Sequence, residues 1–216
     1  MRNKIIDFIK RNRVSSTQVA DCLDKTGALT PCNAINEGHF AVGKVKYIYA
    51  ANSTNYDVHK QIESVEDGDV VFVDVFDSNE QAVFGDLVSK FLILYRQSCA
   101  IVTNGKLRDA PKLLKENWPI WCNGFTPEGF INDGIPLTAK QLAYIENQKK
   151  RFEGAVAVCD DTGVTVIPKE RHNQDFIDAL IHIEEQEDIW FDCIDRKKFT
   201  TFETVCLKRY LDDEQL

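Results

Sequence analysis

The segment Val70-Val71-Phe72-Val73-Asp74-Val75-Phe76 constrains the fold more than any other. It follows the turn-forming Glu66-Asp67-Gly68-Asp69, is too short for a typical helix, and is apolar on both faces of a pleated strand. Such a strand needs cover on both sides, which a sheet layered with helices provides. Its neighbours fit that arrangement. His39 to Ala50 and Cys99 to Thr103 read as strands, Ile120 to Cys122 as a short one, and Tyr56 to Val65, Asp86 to Gln97 and Ala110 to Asn117 as helices. Alternating strands and helices predict an α/β fold around a largely buried sheet.

The flanking regions follow the same punctuation rules. Ile5, Ile6 and Ile9 share a helical face, and Ser15-Ser16-Thr17-Gln18 is a capping signature for a second helix that Gly27 stops. Thr138 with Gln141 caps a helix to about Phe152, and Ala155 to Cys159 and Val164 to Ile167 read as two strands joined through Asp160-Asp161-Thr162-Gly163. Glu170 to about Asp188 reads as an acidic helix, and Thr200-x-x-Glu203 opens a final amphipathic helix through Phe202, Val205, Cys206 and Tyr210. Thr126 to Pro136 is the most linker-like stretch. The expected organisation is one α/β domain over residues 1–170 with a helical extension, residues 171–216, packed on it.

Composition narrows the function. With 44% apolar and 28% charged residues the chain is of the ordinary globular kind, and a net charge of −8 argues against general affinity for nucleic acid or acidic membranes. The seven cysteines are scattered without Cys-x-x-Cys spacing and read as reduced core residues, so no structural zinc is expected. No apolar run approaches membrane-spanning length and no cleavable leader is evident, so the expectation is a cytoplasmic protein. Phosphate-loop, dinucleotide, zinc-protease and nucleophile-elbow signatures are all absent.

Two polar clusters at strand ends remain: Phe84-Gly85-Asp86-Leu87-Val88 and Asn104-Gly105-Lys106-Leu107-Arg108-Asp109. Loops after the strands of an α/β sheet are where ligands gather. Taken singly, Asp86 and Asp109 also fit as helix N-caps, Arg108 as a solvated surface pair, and Asp161-Thr162-Gly163 as a plain turn.

In chain order, Ser16 to Leu23, Asp67 to Asp74, Phe84 to Leu87, Asn104 to Asp109 and Cys159 to Pro168 resemble the corresponding motifs of the regulator of ribonuclease activity A family. That family also holds divalent-metal aldolases acting on 4-hydroxy-4-methyl-2-oxoglutarate. The resemblance implies a swivelling β/β/α domain assembled as a homotrimer or a dimer of trimers. Carried over, it places the backbone amides of Gly85, Asp86, Leu87 and Val88 around a small 2-oxo acid substrate. It puts Arg108 on that substrate, has Asp109 bind Mg²⁺ or Mn²⁺ directly or through water, and gives Asp86 a proton-donating water to orient. The chemistry is consistent: hard oxygen donors suit those cations, and a guanidinium can fork onto a carboxylate.

The chain also departs from the pattern. Lys112 stands where the aldolases carry an acidic residue, the Asp86 to Arg108 spacing is one residue longer, and Leu137 to Phe152 replaces a glycine-containing strand and turn. Trp190 to Leu216 has no placed counterpart. Two functions follow from the resemblance: a metal-dependent carbon–carbon lyase with a pyruvate enolate intermediate, or a non-catalytic regulator that binds a protein such as ribonuclease E.

Overall fold

Residues 1–211 are described by the computed structural model. Ile5 and Ile9, one turn apart, are the buried residues of α1 (Arg2–Asn12), and Ser15 and Gln18 close a reciprocal capping box on α2 (Ser16–Cys22). The chain then alternates: β1 (Asn33–Ala34), β2 (Ala41–Ala51), α3 (Tyr56–Gln61), β3 (Val70–Phe76), β4 (Ala82–Phe84), α4 (Asp86–Lys90), β5 (Ala100–Thr103), β6 (Lys106–Leu107), α5 (Ala110–Glu116) and β7 (Ile120–Cys122). After a long loop come α6 (Ala139–Phe152), β8 (Val156–Asp160), β9 (Gly163–Ile167) and α7 (Gln174–Asp195).

Seven strands form one sheet in the order β1-β7-β5-β3-β2-β8-β9. The run β7-β5-β3-β2 is parallel, whereas β1, β8 and β9 are antiparallel to their neighbours. The segment after α2 grips both ends of this sheet. Leu29 N–H donates to the Val164 carbonyl and Gly27 accepts from Val166 N–H on β9, while Ile35 N–H donates to Ile120 on β7. The sheet therefore curls into a nearly closed barrel, and its edge strands are covered rather than left as open templates.

The continuous apolar strands resolve into two faces. Val45 and Tyr47 of β2 with Val70 and Phe72 of β3 point to an inner cluster, where Phe152 of α6 meets Phe72 edge-on at 4.9 Å between ring centroids. Ile48, Ala50, Val71 and Val73 point outward against Val58, Val88, Leu92 and Leu113 from the surrounding helices and their continuations. The apolar residues of these strands are thus apolar for two different sets of neighbours. A third cluster joins α1 and α2 to Phe176, Ile177 and Leu180 of α7 and to the other face of β8 and β9. No helix among the described residues is long and apolar enough to cross a membrane.

The structure corrects three expectations. The helix expected to Gln97 is α-helical only through Lys90 and continues as a wider π-helical turn, Phe91–Tyr95. The final amphipathic helix is instead a π-helical turn, Phe202–Cys206, and a 3-10 turn, Arg209–Leu211, because Lys208 enters the left-handed region at φ 49°. The capping residues were legible even so, since Glu203 N–H donates to Thr200 Oγ1. Residues 212–216 of the expected extension lie outside the described residues. Thr126 to Pro136 is no linker: it has no helix, but Ala82 N–H donates to Glu128 and Phe130 N–H to Ala82, laying the segment along β4 with Phe130 buried. Its glycine and proline content signals turns, and its backbone hydrogen bonds hold it down.

Candidate functional site

A second, two-stranded sheet builds the site. β4 and β6 pair in parallel with Phe84 opposite Leu107, and Arg108 N–H donates to the Phe84 carbonyl at 3.0 Å. The residues that follow each strand, Gly85-Asp86 and Arg108-Asp109, are thereby set side by side. Asp109 adopts the left-handed backbone conformation (φ 61°, ψ 31°) at the N-cap position of α5, yet its side chain makes no cap hydrogen bond. The carboxylate accepts instead from the Asp86 backbone N–H, with Oδ2 at 3.2 Å. A positive φ in a non-glycine residue costs energy and is tolerated where the surroundings fix it. Pro111 in the first turn of α5 lacks an N–H, so that helix start has one donor fewer to satisfy.

Gly85 makes this approach possible. A Cβ there would lie 2.0 Å from Asp109 Oδ2 and 2.8 Å from Arg108 Cγ. On the other side, a Cβ on Gly129 would lie 2.5 Å from Arg108 Nη1, so the guanidinium is packed against bare backbone. Arg108 Nε is 3.7 Å from Asp109 Oδ2, and Lys112 Nζ is 2.7 Å from Asp86 Oδ2. The Lys112 ammonium holds the Asp86 carboxyl below its ordinary range, and Asp86 raises Lys112 in return. The corner thus carries two cations and two carboxylates, all partly open to solvent. A cavity of about 260 Å³ lies against Arg108, Asp109, Pro111, Phe125, Thr126 and Pro127, and another of about 390 Å³ lies beside Leu87, Val88 and Phe91.

With this geometry in hand, comparison with known proteins is decisive for the family. A family model described as RraA-like (Aldolase/RraA) matches residues 16–166. The chain belongs to the RraA-like family. A relative from Halalkalibacterium halodurans, provisionally named a 4-hydroxy-4-methyl-2-oxoglutarate aldolase, is 30% identical over 174 residues, 76% of this chain and 78% of that one. Among solved structures, an uncharacterized protein from Pseudomonas syringae pv. tomato superposes with a TM-score of 0.70 at 19% identity, covering 95% of this chain and 94% of that one. Streptomyces coelicolor RraAS2, described as an unusual member of the RNase ES inhibitor RraA family, superposes with a TM-score of 0.65 at 23% identity, covering 86% and 96%. These structural likenesses show the swivelling α/β fold.

In this RraA-like chain the sequence motifs bond to one another in pairs. Ser16 N–H and Oγ both donate to the Asp160 carboxylate at 2.7 Å, so the first and last motifs fasten α2 to the β8–β9 turn. Asp74 Oδ2 accepts from Tyr47 Oη at 3.0 Å, and Asp74 Oδ1 accepts from Asn104 Nδ2 at 3.1 Å, inside the barrel. Burial pushes the Asp74 carboxyl up, against the pull of these donors and of Tyr144. These pairs tie elements together; Asp86 and Asp109 differ in having a cation beside each carboxylate, with Arg108 and Asp109 at the edge of a cavity.

The expected residues separate in their positions. Asp86, Arg108 and Asp109 come together, and Asp86 is the first helical residue of α4 with Gly85 at the cap position. The Asp86 amide is already taken by Asp109, and Val88 turns its side chain into the core, leaving only its backbone to face a ligand. The Leu87 side chain is 74% exposed. Gly129 and the Phe125 to Pro127 wall had no signal beyond a cluster of glycine and proline. Among the described residues no three His, Cys, Asp or Glu side chains are grouped to hold a metal ion. What is present is one carboxylate, Asp109, at the cavity edge, with Asp86 beside it ion-paired to Lys112. That donor set fits Mg²⁺ or Mn²⁺, which keep several waters and take as few as one carboxylate plus substrate oxygens.

Proposed function

We propose that the chain is a divalent-metal-dependent lyase that cleaves or decarboxylates a small 2-oxo acid through a pyruvate enolate. The observation that carries this reading is the convergence of Arg108 and Asp109 on bare Gly85, with the Asp86 carboxylate beside them. The name of the Halalkalibacterium halodurans relative supports the same chemistry. Asp109 would hold Mg²⁺ or Mn²⁺, and the bound cation would supply positive charge where the oxo oxygen gains electrons. Arg108, half-exposed at the cavity edge, forks onto the substrate carboxylate and orients the scissile bond. Asp86 holds the water that returns a proton to the enolate carbon. Gly85 admits both side chains by having none.

The assembly proposed is a homotrimer or a dimer of trimers in the cytoplasm, consistent with the exposed Leu87 beside the site. Static light scattering at micromolar concentration tests it, and a monomeric mass would count against a site completed between subunits. Oxaloacetate decarboxylation and aldol cleavage should require Mg²⁺ or Mn²⁺ and stop with chelator. The second reading, a non-catalytic regulator of ribonuclease E, is favoured by the likeness to RraAS2. Absence of turnover on a panel of 2-oxo acids, together with tight binding to ribonuclease E, would select it.

A further inference from the structure

We infer that Lys112 is a positioning residue that keeps the Asp86 carboxylate out of the divalent-cation site, leaving Asp109 to hold the cation and Asp86 to manage the proton. On the metal-dependent reading given above, the two carboxylates have competing uses. The Asp86 backbone N–H is 3.2 Å from Asp109 Oδ2, so their side chains leave neighbouring points on α4 and α5. Two carboxylates so placed form a ready pair of ligands for a divalent cation, which draws in any free hard oxygen donor within reach.

The structure shows what prevents this. Lys112 lies one turn along α5 from Asp109 and reaches across to Asp86, with Nζ 2.7 Å from Oδ2. Asp86 is the one carboxylate with which Lys112 forms an ion pair among the described residues. The two partners come from separate helices, so the bond fixes Asp86 relative to α5 and therefore relative to Asp109 and Arg108. It also cancels the second negative charge: Arg108 and Lys112 balance Asp86 and Asp109, and an arriving cation meets a neutral corner instead of a negative one. A divalent ion is then bound more weakly than two free carboxylates would bind it, while one carboxylate is reserved for acid–base work.

The signature is a change of opposite sign in two measurements. Lys112→Gln removes the ammonium and releases Asp86. Mn²⁺ added alone should bind about threefold to tenfold more tightly by calorimetry, from the lost positive charge and the freed ligand. Mn²⁺-dependent kcat should fall about tenfold with KM little changed, because the proton-holding carboxylate has moved. Lys112 is 69% exposed, so the melting temperature should hold. Lys112→Arg, which keeps a cation able to bond one carboxylate oxygen, should restore both values to within about threefold. Adding Asp86→Asn to Lys112→Gln should abolish most of the gain in Mn²⁺ affinity.

Unchanged or weaker Mn²⁺ binding in Lys112→Gln would overturn the inference, as would tighter binding with unaltered kcat. Asp109→Asn is the separate control. If it binds Mn²⁺ as well as the wild type does, the metal-dependent reading itself fails. If it loses Mn²⁺ while Lys112→Gln leaves affinity unchanged, only the role of Lys112 is wrong.

Discussion

At the β4–β6 corner the carboxylates of Asp86 and Asp109 stand a third exposed with cations beside them, whereas Asp74 inside the barrel is buried and bonded by neutral donors. Both arrangements satisfy a carboxylate, but by different means. At the corner an ammonium lowers the acid and water reaches it, so the carboxylate keeps its charge. In the barrel, desolvation raises the acid, and its hydroxyl and amide partners serve packing. Polar residues drawn from the same set of motifs therefore divide between an open, charge-paired corner and a buried interior with neutral partners, according to what surrounds them.

Asp109→Asn should break the corner without touching the barrel. Metal-dependent turnover is expected to fall by at least about a hundredfold, with the melting temperature within about 2 °C of wild type, since no cap hydrogen bond is lost. Steady-state kinetics with a thermal scan checks both halves. Asp74→Ala should do the reverse. It leaves Tyr47 Oη and an Asn104 N–H without their acceptor and should cost about 2–3 kcal/mol in urea unfolding, with turnover per folded molecule unaltered.

Arg108→Lys is a sharper probe. If the guanidinium forks onto substrate, kcat/KM drops about tenfold to a hundredfold at unchanged stability. If Arg108 only pairs with Asp109 across 3.7 Å, activity stays within twofold.

The smallest effect is the most specific to the comparison. The Asp86 carboxyl titrates below 3.8 in the folded chain, and the Asp74 carboxyl above it. Lowering the pH through the folded value of Asp86 therefore removes stability that its ion pair contributes above 3.8. Asp74 has the opposite sign: its buried neutral form is favoured, and stability is lost as pH rises from 3.8 through its raised value. Carboxyl carbon NMR of the metal-free protein should show the two midpoints on opposite sides of 3.8; midpoints on the same side would erase the distinction.

Much of this molecule was legible locally. Val70 to Phe76 and its helical neighbours define α/β layering because a short strand apolar on both faces has few other solutions, and Ser15 with Gln18 and Thr138 with Gln141 mark helix starts through reciprocal hydrogen bonds that involve only four consecutive residues. Tertiary structure decided the rest. β4 and β6 have three and two residues, too few for any periodicity, yet their pairing is what sets Asp86 beside Asp109, 23 positions away. The closure of the sheet by residues 27–35, the docking of Phe130 against β4 and the reach of Lys112 to Asp86 are likewise partnerships between distant segments. Local sequence reports the preference of a residue for a conformation or for burial; which distant group satisfies its hydrogen bonds and charge is settled only when the chain has packed.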